Sequence, residues 1–230
     1  MKKNIILLSV MISFILSGCQ SDQANNSLTT LDTNQPSEVS AEVSMDKEYG
    51  NVLVAYFSEP ESDGMDAVAG ASRVTEAGEI LGNTEQVATW IARSIKSDMY
   101  QIESVDDYPG DHDELVDQAE KEKAENMRPK LKASIENLEN YDTIFIGYPI
   151  WWSDLPMPVY SFFEEEDFSG KTIILFSTHG GSGFANTEEI IRGLEPDATV
   201  ELSSFTVSRN DVSQSQALVQ EWLANFEGTK

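Results

Sequence analysis

The sequence predicts an α/β fold: a doubly wound, five-stranded parallel sheet with helices on both faces. Two observations carry that expectation. Short runs such as "VLVAYF" at 52–57, "DTIFIGYPI" at 142–150 and "KTIILFS" at 171–177 are continuously apolar rather than alternating, as strands covered on both faces require. Amphipathic segments fall between them, so strand and helix alternate along the chain, which is the pattern of a parallel sheet.

The first strand is 52–57. Val87, Ile91 and Ile95, with Ala88 and Trp90 beside them, recur at helical spacing and predict a helix over 84–97. "MYQIESV" at 99–105 reads as the second strand. Residues 111–139 are charged and helical, with Leu115, Val116, Ala119, Leu131, Ile135 and Leu138 as the apolar minority and Pro129 as an interruption. After the third strand, "VYSFFEE" predicts a helix at 159–165. The fourth strand, 171–177, leads through a glycine-rich turn to the helical "NTEEIIRGL" at 186–194. "ATVELSSFTV" at 198–207 is the fifth strand and "SQALVQEWLANF" at 215–226 the closing helix. Crossovers in such sheets are right-handed, and ligands gather outside the carboxyl ends of the strands. Neither an internal repeat nor a second folded domain is visible.

The first 48 residues have a different composition. Lys2 and Lys3 precede "IILLSVMISFIL", too short for a stable span and the right size for a signal-peptide core. The following "LSGC" resembles a bacterial lipoprotein signal. On that resemblance residues 1–18 are removed and Cys19, the chain's one cysteine, carries the lipids that anchor the protein on the outer side of the cell membrane. Residues 19–48 hold no aromatic residue and many Ser, Thr, Asn, Gln and Asp, the composition of a disordered tether. The folded domain is expected over 49–230. A net charge of −25 disfavours nucleic acid and favours a partner with a basic surface, although acidity alone also serves solubility.

Three loops at the carboxyl ends of strands carry the chemistry. The first joins Ser58 to Gly82, Asn83 and Thr84, which lead into a helix whose free N–H groups can hold an anion; a plain helix cap explains these residues equally well. No Lys or Arg stands beside them and Glu85 follows, which excludes a nucleotide-triphosphatase loop. An insert, 59–81, separates the two halves, where roughly two to six residues are usual. It holds six acidic residues and one arginine. The second loop, "YPIWWSDLPMP" at 148–158, sets Trp151 beside Trp152; both cannot enter one core face of a strand, so one is exposed or lies on a flat ligand, the alternative being that both pack against the neighbouring helix. The third, "STHGGSGF" at 177–184, uses Gly180, Gly181 and Gly183 to bring backbone N–H groups close to a partner. His179 is expected to position or contact rather than catalyse. A metal site is not expected, because His112 falls well away, on an acidic helix.

Taken together, "AYFS…GNT", "GYPIWW" and "THGGSGF" resemble the flavodoxin family, specifically its bacterial flavodoxin-like lipoprotein members, over the whole folded part. The resemblance implies a flavodoxin-like sheet and FMN as cofactor. It implies that Ser58, Gly82, Asn83 and Thr84 hold the FMN phosphate and that Trp151 lies against the isoalloxazine, with Pro149, Ile150 and Trp152 nearby. Thr178, His179, Gly180, Gly181, Ser182 and Gly183 would meet the pyrimidine edge. The expected function is a membrane-anchored electron carrier with a redox partner protein and a potential lowered by the acidic surroundings. An FMN-dependent NAD(P)H quinone or nitro reductase and a flavin-free binding module are the alternatives.

Overall fold

The computed structural model describes residues 50–60, 73–76 and 79–226. The chain divides into two units, Met1–Val39 and Ser40–Lys230, and every described residue belongs to the second. The expected signal peptide, Cys19, the tether and much of the 59–81 insert lie outside the described residues. Among these residues no helix is long and apolar enough to cross a membrane.

The central sheet is parallel. Strand β1 (Val52–Phe57) lies between β4 (Asp98–Ile102) and β5 (Thr143–Pro149), and β5 is followed outward by β6 (Thr172–His179). Two short strands, β7 (Thr199–Val200) and β8 (Phe205–Ser208), both pair with β6. Within the insert, β2 (Arg73–Glu76) and β3 (Glu79–Gly82) form an antiparallel hairpin that runs straight into helix α1 (Asn83–Ile95).

Side chains of the sheet alternate between two cores, as the strand period of two demands. Val54, Tyr56, Phe145, Ile174 and Phe176 pack with α1 and with α5 (Gln216–Ala224). Leu53, Ala55, Phe57, Ile144, Ile146, Ile173 and Leu175 pack on the other face with α3 (Met157–Glu165) and α4 (Thr187–Leu194). Helices thus cover both faces, as the sequence predicts.

Two expected elements differ. The fifth strand is broken: Glu201 still donates its N–H to Ile173 O (2.9 Å), but Leu202 turns out, 71% exposed, before pairing resumes at Phe205. The helical stretch expected over 111–139, with its interruption at Pro129, stops earlier still. α2 spans only His112–Ala124, capped by Asp111, whose Oδ1 accepts the N–H groups of Asp113 and Glu114. Beyond Pro129 the chain runs as an irregular strap that bridges Ser104 through Leu131 and buries Leu131, Ile135 and Leu138 without helical hydrogen bonds between them.

Candidate flavin site

Both halves of the split loop meet. Helix α1 begins at an N-cap, Gly82, that has no side chain to offer. Ser58 supplies it instead, its Oγ accepting the N–H of Glu85 at 3.4 Å across the insert. Glu85 reaches back, Oε2 accepting the Gly82 N–H at 3.1 Å, so the reciprocal cap of a helix start is completed by a residue outside the local sequence. A Cβ on residue 82 would overlap Ser58 Oγ; only glycine lets the hairpin end and the strand end come this close. Thr84 Oγ1 lies 2.9 Å from Thr178 Oγ1, which ties the first loop to the third.

The second loop is a tight turn. Trp151 and Asp154 exchange backbone hydrogen bonds of 3.1 and 2.9 Å, and between them Trp152 and Ser153 are left-handed, with φ of 50° and 58°. Such conformations are unfavourable without glycine, and helix α2 holds this one. Lys123 Nζ donates to Trp152 O (2.6 Å) and pairs with Asp154 (3.3 Å), while Trp152 Nε1 donates to Val116 O (3.1 Å). The two tryptophans divide as the sequence requires. Trp151 stands edge-to-face with Phe57 (5.3 Å) and Tyr108 (5.4 Å), whereas Trp152 is 46% exposed.

In the third loop, His179 Nδ1 accepts the Gly181 N–H at 2.9 Å. The neutral ring therefore carries its proton on Nε2. Burial lowers the imidazole pKa, against the opposing pull of Asp211. Outside Gly180 lies the guanidinium of Arg209, the first residue past β8, whose own N–H donates to His179 O at 2.8 Å.

These loops enclose a cleft of about 190 Å³ lined by Asn83, Pro149, Ile150, Trp151, Trp152, Thr178, His179 and Gly180. Ser58, Gly82 and Thr84 are not among its lining residues, and Ser58 lines the neighbouring cleft with Glu59, Glu103 and Asp107. Gly181, Ser182 and Gly183 are not among the residues that line it. A larger cleft of about 370 Å³ lies at the amino ends of the strands, around Asn51, Lys96 and Tyr141; position, not size, marks the site.

Sequence reasoning missed the opposite wall, formed by His112, Leu115, Val116 and Ala119 of α2, and it missed Arg209. His112 is therefore not remote: α2 folds back so that both histidines of the chain line one cleft. Among the described residues no group of His, Cys, Asp and Glu is arranged to hold a metal ion. For FMN the fit is better. The cleft joins a helix N-terminus at Asn83 to an indole wall, and Gly180 leaves backbone and guanidinium donors for a ring edge carrying carbonyl oxygens.

Comparison with known proteins bears on the family. No curated protein matches the sequence. A structure assigned as a flavoprotein from Bacteroides eggerthii DSM 20697 is 27% identical, with a TM-score of 0.56, and the match covers 75% of this chain and 95% of that one. Its counterpart from Bacteroides uniformis ATCC 8492 is 26% identical, with a TM-score of 0.56 over 76% and 99% of the two chains. A flavoprotein in complex with FMN from Lactobacillus acidophilus NCFM is 16% identical, with a TM-score of 0.49 over 73% and 98%. The flavodoxin family pattern matches residues 72–226, and the chain belongs to the flavodoxin family.

Proposed function

We propose that this flavodoxin binds FMN in the cleft at the carboxyl ends of β1, β5 and β6 and serves as an electron carrier, anchored through Cys19 on the outer side of the cell membrane. The observation that carries the proposal is the convergence of three separate loops on one cleft: Asn83 at the start of α1, the Trp151–Trp152 turn, and Thr178 to Gly180. FMN, when bound, supplies reversible electron transfer. The N–H groups at the start of α1, beside Asn83 on the cleft wall, would hold its phosphate, with Ser58 and Thr84 fixing that helix start through their bonds to Glu85 and Thr178. Trp151, Trp152, Pro149 and Ile150 would bracket its ring and exclude water. The Bacteroides relatives assigned as flavoproteins support the reading.

The reductase alternative needs a second site for an anionic nicotinamide donor. The neighbouring cleft, around Ser58, carries Glu59, Glu103 and Asp107 against Lys132, a charge balance that repels such a donor. Adding FMN to the full chain in detergent should quench flavin fluorescence saturably, with no accompanying oxidation of NADH or NADPH in the presence of a quinone. Rapid nicotinamide oxidation would favour the reductase. Cys19→Ser should move the protein from the membrane fraction to the soluble fraction; unchanged fractionation would contradict the anchor.

A further inference from the structure

We infer that Arg209 is the residue that sets how readily the bound flavin accepts electrons, through its positive charge at the ring end of the cleft. The inference rests on FMN being the ligand.

Arg209 is held there by its backbone. Its N–H donates to His179 O at 2.8 Å, in continuation of the pairing that sets His179 opposite Ser208. Its guanidinium lies flat against Gly180: a Cβ there would stand 3.3 Å from Cζ and 3.5 Å from each terminal nitrogen. The residue lines the same cleft as Trp151, Trp152 and Asn83. The chain has 40 acidic residues against 15 basic ones, and Arg128 and Arg192 pair with Glu164 and Glu189. Among the described residues, however, no carboxylate forms an ion pair with Arg209. Asp211, two positions on, acts on His179 without engaging the guanidinium.

A half-buried cation that no described carboxylate pairs with, seated on a glycine that leaves room for it, suits a ligand that gains negative charge. Reduction places that charge on the flavin ring. Arg209 therefore stabilises reduced over oxidised FMN, and it offsets the lowering of potential expected from the acidic surroundings.

The test is a spectroelectrochemical titration of FMN bound to the full chain in detergent, alongside the affinity for oxidised FMN and thermal unfolding of each variant. Arg209→Gln should favour the oxidised form about tenfold more than wild type does, which for a two-electron couple is about 30 mV lower. Arg209→Lys should retain most of the wild-type potential. Gly180→Ala, whose Cβ would press on the guanidinium 3.3 Å from Cζ, should shift the potential in the same direction by less than Arg209→Gln and add nothing to it. Bound FMN with an unchanged potential in Arg209→Gln would overturn the inference alone, as would a Lys variant as low as the Gln variant. Failure of wild type to bind FMN would overturn the cofactor reading and the inference with it.

Discussion

At the α1 end of the cleft, Ser58 pairs with Glu85, Glu85 with Gly82 and Thr84 with Thr178, while the buried Gln86 amide beside them has no hydrogen-bond partner among the described residues. At the opposite end the turn of Trp152 and Ser153 is left-handed and held from outside by Lys123, and Arg209 has no anionic partner among the described residues. The first end is a set of mutual caps. The second keeps an aromatic surface and a positive charge in reserve. A long insert can therefore interrupt the first end, because closure entropy grows only slowly with loop length and the insert returns as a hairpin aimed at its own starting point.

The comparison breaks most visibly at the tryptophans. Trp151→Ala should cost about 3 kcal/mol in urea unfolding, because Phe57 and Tyr108 lose a packed ring. Trp152→Ala should cost less than about 1 kcal/mol, since its indole is largely on the surface. Equal losses would mean that the two rings do not divide between packing and surface. Gly82→Ala comes next, at about 1–3 kcal/mol from the collision with Ser58 Oγ, and Ser58→Ala in the same chain should recover part of the loss.

Single hydroxyl deletions sharpen the first end further. Thr84→Val leaves buried Thr178 without its hydroxyl partner and should cost about 1–2 kcal/mol. Ser58→Ala removes a long hydrogen bond and should cost about 0.5–1 kcal/mol. FMN affinity should follow the same order, and a larger loss at Ser58 would reverse the roles assigned to the two halves.

A separate effect concerns pH. Burial, with Glu103 and Asp107 nearby, raises the Glu59 pKa from 4.5 to about 7 despite the opposing Lys132. Because the folded value lies above the unfolded one, the associated stability is complete below pH 4.5 and is lost as pH rises through 7. Glu59→Gln should flatten that part of the urea-stability profile. His179 has the opposite sign, its lowered pKa removing stability as pH falls, so His179→Asn should flatten the acidic limb.

What the sequence made legible follows from what each residue does locally. β1, β5 and β6 are covered on both faces and so read as unbroken apolar runs, and the glycines and tryptophans of the three loops mark departures from regular structure. The strap after Pro129 is not legible in the sequence because Leu131, Ile135 and Leu138 keep helical spacing while reaching the core from irregular backbone. The break in the fifth strand depends on tertiary partners: Trp222 Nε1 donates to Ser203 O and Ser204 Oγ to Glu188. Arg209 belongs to no motif; its signal was only a cation just past the carboxyl end of a strand. His112 seemed remote because distance along the chain stood in for distance in space.

The central claim is that the separated halves of the first loop form one phosphate-holding end of an FMN site. Its most direct test is the affinity of the full chain for FMN relative to riboflavin, which lacks only the phosphate, measured by quenching of flavin fluorescence. The account predicts that FMN binds about ten- to a hundredfold more tightly, the worth of charge-assisted hydrogen bonds at such a helix start. Equal affinities, or no quenching by either flavin, would contradict it.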